Sequence, residues 1–424
     1  MRTPALGPLL AVLVLATAAL SGCGKGGSEA TGSAGTPHQL APVAAQGAVS
    51  VATRNTTRLG GRDVAADAAA VARAVYPGLT AATRPLAVVL VNEQDWLPAL
   101  AASVLASAPA GVPILFSGGK TLPAVTRETL EAMHPLGAPA LGGAQVIRIG
   151  TLAPVPDHYV TRTVPVGIGL PTVAAASVER LASLLDGGSV PGQVIVLAAD
   201  ASPALEMPAA GLAAESGAPI LFVTRARVPE QTASVLAGLH HPSIYVIDAA
   251  AIGRHTLAEL ANFGTVKPIT SEGTTVPAAS PASAGIQTAT DQEVVQNAIE
   301  VARFTDDGFG WGVKEPGHGL VFANAGRPLD GPASALLSAT GDYGPLLLLT
   351  SASQVAPTLT GYLSDIQPAY SDPQFPPVRG AYNHGWLIGD EAAISAVTQA
   401  EIDSMLEIRP QVHNSEESSV TQVE

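Results

Sequence analysis

The chain has 424 residues, and its 21 Lys and Arg residues against 35 Asp and Glu residues give a formal net charge of −14. Such an acidic chain excludes non-specific nucleic-acid binding, which needs basic surface to displace counterions. Hydrophobic residues make up 47% and charged residues only 13% of the chain, so apolar cores are expected and disorder throughout is excluded.

The N-terminus has the pattern of an export signal. A charged start at Arg2 precedes an apolar run over residues 9–20, and the string Leu-Ser-Gly-Cys ends at Cys23, which is the only cysteine. No intrachain disulfide is therefore possible. The string resembles the bacterial lipobox, and this implies that residues 1–22 are a lipoprotein signal peptide and that the Cys23 thiol is diacylated. The alternative is an ordinary signal peptide with a chance cysteine.

Three segments have the composition of connections rather than of cores. Residues 23–51 are rich in Gly, Ser, Ala, Thr and Pro, which predicts a flexible tether. Residues 270–289 are rich in Ser, Thr, Pro and Ala, which predicts a linker or surface loop. Residues 411–424 are polar and acidic, which predicts a disordered tail.

An internal repeat with a period of about a hundred residues organises the rest of the chain. In each copy an apolar strand, a short Ala-rich helix and a second apolar strand follow one another. The second strands follow Pro113, Pro219 and Pro345, which are 106 and 126 residues apart. Unbroken apolar runs indicate strands buried on both faces, and their alternation with helices indicates parallel sheets. The sequence thus predicts an α/β fold of three Rossmann-like or flavodoxin-like modules, at 52–155, 156–269 and 290–410.

Each module also has a predicted helix before its first strand, a helix after its second strand, and a third apolar stretch. The first helices are predicted at Ala65–Val75, Val173–Leu185 and Asp291–Phe304, and the later ones at about Thr126–Met133, Pro229–Leu239 and Ala356–Asp365. The third apolar stretches lie at Gln145–Ile149, Ser243–Ile247 and Gly385–Ile388.

Several strings match one known family in the same order. Residues 58–63, Arg-Leu-Gly-Gly-Arg-Asp, match its opening string, Pro113-Ile114-Leu115 its inner strand, and residues 386–395 its closing string. Its acidic position is matched by Asp330 and by Glu206. The chain therefore resembles the cell wall-binding repeat 2 family of Gram-positive surface proteins, as three degenerate copies. The resemblance implies modules packed around a pseudo-threefold axis that hold a wall polymer non-covalently, without catalysis.

The resemblance also implies that the ends of the proline-led strands line the polymer-binding face. In open α/β sheets, loops at the carboxyl ends of strands form the ligand crevice. The predicted polymer-binding residues are the strand starts and the cations of the loops that follow: Pro113, Ile114, Leu115, Lys120, Pro219, Ile220, Leu221, Arg225, Arg227, Pro345, Leu346 and Leu347. The cations could meet phosphate or carboxylate groups, or be solubilising surface charge only. The third loop, at 350–353, has no cation.

Aromatic and catalytic motifs are scarce. Trp311, in a Gly-rich loop, could stack on a sugar ring or fill a gap between modules. Residues 117–121 resemble the end of a P-loop, but Ile114 replaces its first glycine, and the chain has no His-Glu-x-x-His or Gly-x-Ser-x-Gly string. We therefore expect no cofactor, metal site or enzymatic activity.

The expected partners are an anionic or neutral wall polymer and, through the lipid anchor, the membrane. Two other functions stay open. One is a substrate-binding lipoprotein of a transporter, which would have two lobes and a cleft. The other is an envelope hydrolase on a Rossmann-like scaffold.

Overall fold

The structure is a computed structural model that describes residues 49–164, 171–270, 289–339, 343–370 and 382–410. The predicted signal peptide, Cys23 and the acidic tail lie outside the described residues, as do nearly all of the tether and the linker. Within the described ranges, no helix combines the length and the apolar character needed to cross a membrane.

The first copy of the repeat alternates strands and helices after an N-terminal strand pair. Its elements are β1 (Val49–Ala52), β2 (Thr56–Gly60), α1 (Val64–Val75), β3 (Val88–Asn92), α2 (Trp96–Ala102), β4 (Ile114–Ser117), α3 (Ala124–Met133), β5 (Val146–Ile149) and β6 (Thr161–Val164). Short 3-10 helices lie at Ala81–Thr83, Ser103–Ala106 and Pro139–Leu141.

The second and third copies follow the same plan. The second contains α4 (Pro171–Leu185), β7 (Gln193–Ala198), α5 (Pro203–Glu206), α6 (Pro208–Ser216), β8 (Ile220–Val223), α7 (Glu230–Gly238), β9 (Ser243–Val246), α8 (Arg254–Leu260) and β10 (Thr265–Pro268). The third contains α9 (Asp291–Arg303), β11 (Gly319–Asn324), α10 (Asp330–Ser334), a 3-10 helix at Ala335–Ser338, β12 (Leu346–Leu349), α11 (Pro357–Asp365), β13 (Ala369–Tyr370), β14 (His384–Ile388), α12 (Ala396–Leu406) and β15 (Arg409–Pro410).

Three four-stranded parallel sheets share one strand order. The orders are β4-β3-β5-β6, β8-β7-β9-β10 and β12-β11-β14-β2, and β1 extends the third sheet as an antiparallel edge. Numbered within a copy, the order is 2-1-3-4, which is that of flavodoxin-like sheets. The predicted α/β fold class is confirmed, and the two sets of predicted helices are observed close to their predicted bounds.

The three prolines occupy equivalent places. The carbonyl oxygens of Pro113, Pro219 and Pro345 each accept a backbone hydrogen bond from the second or third residue of the neighbouring first strand, at 2.9, 3.0 and 3.1 Å. Each proline therefore sets the entry of the second strand into its sheet, beside the first.

The fourth strand of each sheet comes from the segment just before the next copy. β6 precedes α4, β10 precedes α9, and β2 precedes α1 but lies beside β14 in the third sheet. The sheets thus divide the chain differently from the predicted module bounds: β6 falls in 156–269 but completes the first sheet, and β2 falls in 52–155 but completes the third. Polar residues such as Arg162 and Thr163, both exposed, gave no apolar run to mark β6.

Helix packing follows the same cyclic rule. α1 contacts β4 and α3 of its own copy and α10 of the third; α4 contacts β8, α7 and α2 of the first; and α9 contacts β12, α11 and α5 of the second. At the centre, α6 contacts the 3-10 helices Ser103–Ala106 and Ala335–Ser338. A Cβ atom on Gly211 of α6 would lie 2.7 Å from Ser338 Oγ, so even an alanine there would displace the Ser338 side chain. The copies close into a ring.

Candidate functional site

The proline-led strand residues lie in the core. All nine are buried: Pro113, Ile114, Leu115, Pro219, Ile220, Leu221, Pro345, Leu346 and Leu347. A polymer on the surface cannot touch these side chains, because they fill the space between each sheet and its helices. The predicted binding role therefore narrows to the loops that these strands position.

Those loops are docked in the same way in all three copies. The carbonyl oxygens of Gly119, Arg225 and Ala352 each accept a backbone N–H and a threonine hydroxyl from the segment after the third strand. The donors are Leu152 N (3.0 Å) and Thr151 Oγ1 (3.0 Å), Gly253 N (3.1 Å) and Thr256 Oγ1 (3.0 Å), and Ser395 N (2.7 Å) and Thr398 Oγ1 (2.8 Å). These bonds fix three equivalent loops at the carboxyl ends of the sheets.

The predicted cations sit on two of these loops. Lys120, in the first copy, and Arg225 and Arg227, in the second, are exposed. Arg225 Nη1 reaches Ala250 O at 3.5 Å, which keeps its side chain near the loop that follows β9. Because Lys120 belongs to the first sheet and the two arginines to the second, the cations form two separate contact points rather than one cluster.

Sequence reasoning missed a cleft between the first and third copies. Its volume is about 460 Å³, and it opens at the carboxyl ends of β3 and β11. The start of α1 and the loops after β3 and β11 line it: Arg62, Asp63, Val64, Glu93, Trp96, Arg327, Pro328, Leu329 and Asp330.

A buried ion cluster forms the floor of this cleft. Arg327 Nε lies 2.8 Å from Asp330 Oδ2, and Arg327 Nη2 contacts Asp67 Oδ2. The Asp67 and Asp330 side chains are 0% and 1% exposed, whereas that of Arg327 is 24% exposed. Asp67 also accepts a hydrogen bond from Gly61 N at 2.6 Å. Arg327 thus ties the third copy to α1 of the first.

The two carboxyl groups share one guanidinium, and this changes their protonation. Burial, followed by the charge of Asp330, raises the pKa of Asp67 to about 8, although Arg327 opposes the rise. Burial also raises the pKa of Asp330 to about 6. The two carboxyl groups therefore hold a shared proton to a higher pH than isolated carboxyl groups would, because one guanidinium does not balance two buried negative charges.

The opening string at residues 58–63 builds the wall behind the cleft. Arg58 is buried and donates to the carbonyl oxygens of Gly389 (3.0 Å), Asp390 (2.9 Å) and Ile394 (2.6 Å). Gly60 has φ +147°, and a Cβ atom on it would lie 2.5 Å from Gly389 N. Arg58 and Gly60 therefore hold β2 against the end of β14, so this part of the string has a structural role.

The string's last residue starts α1. Asp63 is the N-cap of this helix, and its side chain accepts a hydrogen bond from Ala66 N at 2.9 Å. A carboxylate at this position also offsets the positive end of the helix dipole. The amino end of α1 is therefore already neutralised where it meets the cleft.

At the corresponding junction of the second and third copies, the buried acid has no ion-pair partner among the described residues. Glu206 ends α5, which contacts α9, and it is 1% exposed. Neither of its carboxyl oxygens has a hydrogen-bond partner among the described residues. Burial, with the charges of Asp248 and Asp200, raises the pKa of Glu206 well above its ordinary value. Burial therefore favours the neutral form of this carboxyl group over the charged form.

The two tryptophans in this region have different surroundings. Trp311 packs against both apolar clusters of the core, and its ring lies near Gly211 of α6, so it fills a gap between copies. Trp96 instead lines the cleft. Its position directly after a first strand was the available sequence signal. Among the described residues, no group of three or more His, Cys, Asp or Glu side chains could hold a metal ion.

Comparison with known proteins gives a structural likeness only. Searches against models of protein families and against curated proteins found no match. Among solved structures, the chain is similar to Cwp6 from Clostridium difficile, with a TM-score of 0.59 and 15% identity, covering 85% of this chain and 51% of that chain. It is also similar to Cwp8 from Clostridium difficile, with a TM-score of 0.54 and 13% identity, covering 83% and 51%. These identities show a shared fold, and the chain spans about half the length of both structures.

Proposed function

We propose that this chain is an exported, lipid-anchored protein of the cell envelope that binds a cell-wall polymer non-covalently and without catalysis. The observation that carries the proposal is the set of three equivalently docked loops at the carboxyl ends of three sheets in one ring. The fold shared with two Clostridium difficile cell wall proteins supports the same assignment. The lipobox-like string at Cys23 supports export and anchoring.

Three equivalent loops suit a repeating polymer. Sites on one rigid body raise each other's effective concentration, so weak individual contacts add up to firm retention. Lys120, Arg225 and Arg227 would meet anionic groups of the polymer in two of the loops. The hydrogen bonds that dock the loops hold them in place before binding, so less conformational entropy is lost when the polymer binds.

The alternatives receive less support. A transporter's binding lipoprotein is expected to have two lobes around one cleft, whereas this chain has three sheets in cyclic order. A hydrolase working in the cleft would need an accessible carboxyl pair or a nucleophile with its base. The described lining of the cleft contains no Ser, Thr, Cys or His. Of its three carboxyl groups, that of Asp330 is 1% exposed and paired with Arg327, and that of Asp63 caps α1, which leaves Glu93 without a second free carboxyl group.

Co-sedimentation of the full-length protein with purified cell walls tests the proposal. We expect retention at low salt that weakens as salt rises, because exposed charges are screened. The double variant Lys120→Glu with Arg225→Glu should lose most of this salt-sensitive retention, by roughly tenfold if each contact is worth about 0.7 kcal/mol.

A matched control separates the loops from overall charge. Arg73→Glu with Arg162→Glu changes the net charge equally at exposed positions outside the loops and should bind like the parent protein. Absence of retention at any salt would contradict wall binding. Equal losses in the two double variants would contradict the assignment to the loops.

A further inference from the structure

The charges lining the cleft between the first and third copies do not favour an anion. Arg62 and Arg327 face three carboxyl groups, those of Asp63, Glu93 and Asp330. Arg327 is already committed to Asp330 and Asp67. A phosphate or carboxylate entering here would meet carboxylates without a surplus of positive charge, unlike at the exposed loops.

The same lining suits hydroxyl groups. A sugar hydroxyl both donates and accepts, so it can bond to a carboxylate and to a guanidinium at once. Arg327 lines the cleft with a side chain that is 24% exposed, and its ion pairs with Asp67 and Asp330 fix its guanidinium in place before a ligand arrives. Such preorganisation favours a ligand that needs directed hydrogen bonds rather than net charge.

Trp96 supplies an apolar surface beside these polar groups. It is half-buried at the start of α2 and is the only aromatic residue among the described residues that line the cleft. Pro328 and Leu329 add apolar surface from the third copy. An aromatic ring next to fixed donors and acceptors matches a sugar ring, which has an apolar C–H face and a hydroxyl rim.

We infer that this cleft binds an uncharged sugar unit of the wall polymer, with the sugar ring against Trp96 and its hydroxyls toward Arg327 and Glu93. The inference rests on the proposed function and divides the work between two surfaces. The loops with Lys120 and Arg225 would take anionic groups, and the cleft would take a neutral residue of the same chain.

Calorimetric titration of the full-length protein tests this with two probes. One is purified wall polysaccharide, and the other is the same polymer after hydrofluoric acid has removed its phosphates and its carboxyl groups have been reduced. We expect the charge-free polymer to bind, with little dependence on salt. Trp96→Ala should lower this affinity about tenfold. Tyr343→Ala, an exposed aromatic outside the cleft, should leave it unchanged.

A conservative variant distinguishes loss of the aromatic contact from misfolding of the protein. Trp96→Phe should keep most of the affinity while losing the tryptophan fluorescence change on binding, because Trp311 and Trp386 do not line the cleft. Binding of the native polymer only would overturn the sugar assignment and leave wall binding intact. The sugar assignment would also be overturned if Trp96→Ala and the parent protein bound the charge-free polymer with equal affinity. Binding of neither polymer would overturn both.

Discussion

Asp330 and Glu206 occupy equivalent places in two copies of the repeat, but their buried carboxyl groups are accommodated in different ways. Each is a buried acid at the start or end of a short helix, facing the first helix of the next copy. Asp330 has Arg327 as its partner, so it can stay ionised. Glu206 has no hydrogen-bond partner among the described residues, and burial raises its pKa well above the ordinary value. The two junctions should therefore respond differently to pH.

Glu206→Gln is expected to stabilise the protein at neutral and alkaline pH. The folded pKa of Glu206 is raised, so the folded state holds its proton more tightly than the unfolded state does. Its contribution to stability is therefore fully present below the ordinary glutamate pKa of about 4.3 and is lost as pH rises through the folded pKa. The variant, which has no proton to lose, should escape this decline.

Urea unfolding at pH 5, 7 and 9 measures this difference. The gap between the variant and the parent should widen with pH. Glu230→Gln, at an exposed position on α7, is the matched control and should follow the parent curve. Parallel curves for Glu206→Gln and the parent would show that Glu206 does not lose a proton in this range.

At the scale of elements, strand β2 closes the ring by joining the last sheet. It pairs in parallel with β14, as β6 pairs with β5 and β10 with β9. Only its place in the chain differs, because it lies before the first copy rather than after the third. Asn55 donates to Asp403 O and to Glu407 Oε2, both at 3.0 Å, so the two ends of the folded region lie side by side.

Moving residues 49–60 to follow residue 410 through a flexible Gly/Ser linker of about ten residues should therefore preserve the fold. In that chain, all three fourth strands would follow their third strands. We expect the thermal midpoint to stay within a few degrees of the parent's, because a surface loop of this length costs little. Deletion of residues 49–60 without reinsertion is the control and should destabilise the protein strongly, since it leaves β14 paired with β11 only and removes Arg58.

The sequence predicts the inner elements well and the outer ones poorly. Strands led by Pro113 and Pro219 are unbroken apolar runs, so their burial is visible in composition. β6 is mostly polar, because it is an edge strand with solvent on one side. The docking of the loops uses carbonyl oxygens, such as that of Gly119, and no side-chain pattern reports a backbone acceptor.

The cleft was hidden for a different reason. Asp67 and Arg327 are 260 positions apart in the chain, and only ring closure brings them together. Family-like strings mark Asp63 and Asp330 separately, but the pairing of the first copy with the third is a property of the tertiary fold. Trp96 likewise lines a cleft only because the fold brings the loop after β11 next to it, which the sequence around Trp96 does not indicate.

At the scale of the whole molecule, the low content of charged residues and the many alanines are consistent with a ring in which helices pack closely against one another at the centre. The central contacts involve α6 and the Ala335–Ser338 helix, where small residues allow close approach. The net charge of −14 keeps the surface acidic, so attraction to an anionic polymer would be local to the cationic loops. Firm retention in the envelope would then depend on the proposed lipid anchor as well.

Cys23→Ser tests that anchor. Two acyl chains add roughly 0.8 kcal/mol of membrane affinity per buried methylene, so we expect the parent protein to incorporate labelled palmitate and to sediment with membranes. The variant should incorporate none, since the chain has no other cysteine. Ser21→Ala, which keeps the thiol, is the control. A parent protein without label would contradict lipidation.

The position of β1 has a mechanical consequence. β1 runs antiparallel to β2, and Val49 pairs with Gly60, so the chain enters the ring at the carboxyl edge of the third sheet. In the proposed arrangement, with the N-terminus held at the membrane and the loops on the polymer, tension would act on β1 first and separate it from β2 one residue pair at a time. Four released residues lengthen the chain by about 14 Å. β2 would stay in the sheet, because Arg58 bonds it to the segment after β14. β1 would therefore extend reversibly under force and pair with β2 again when the force is removed.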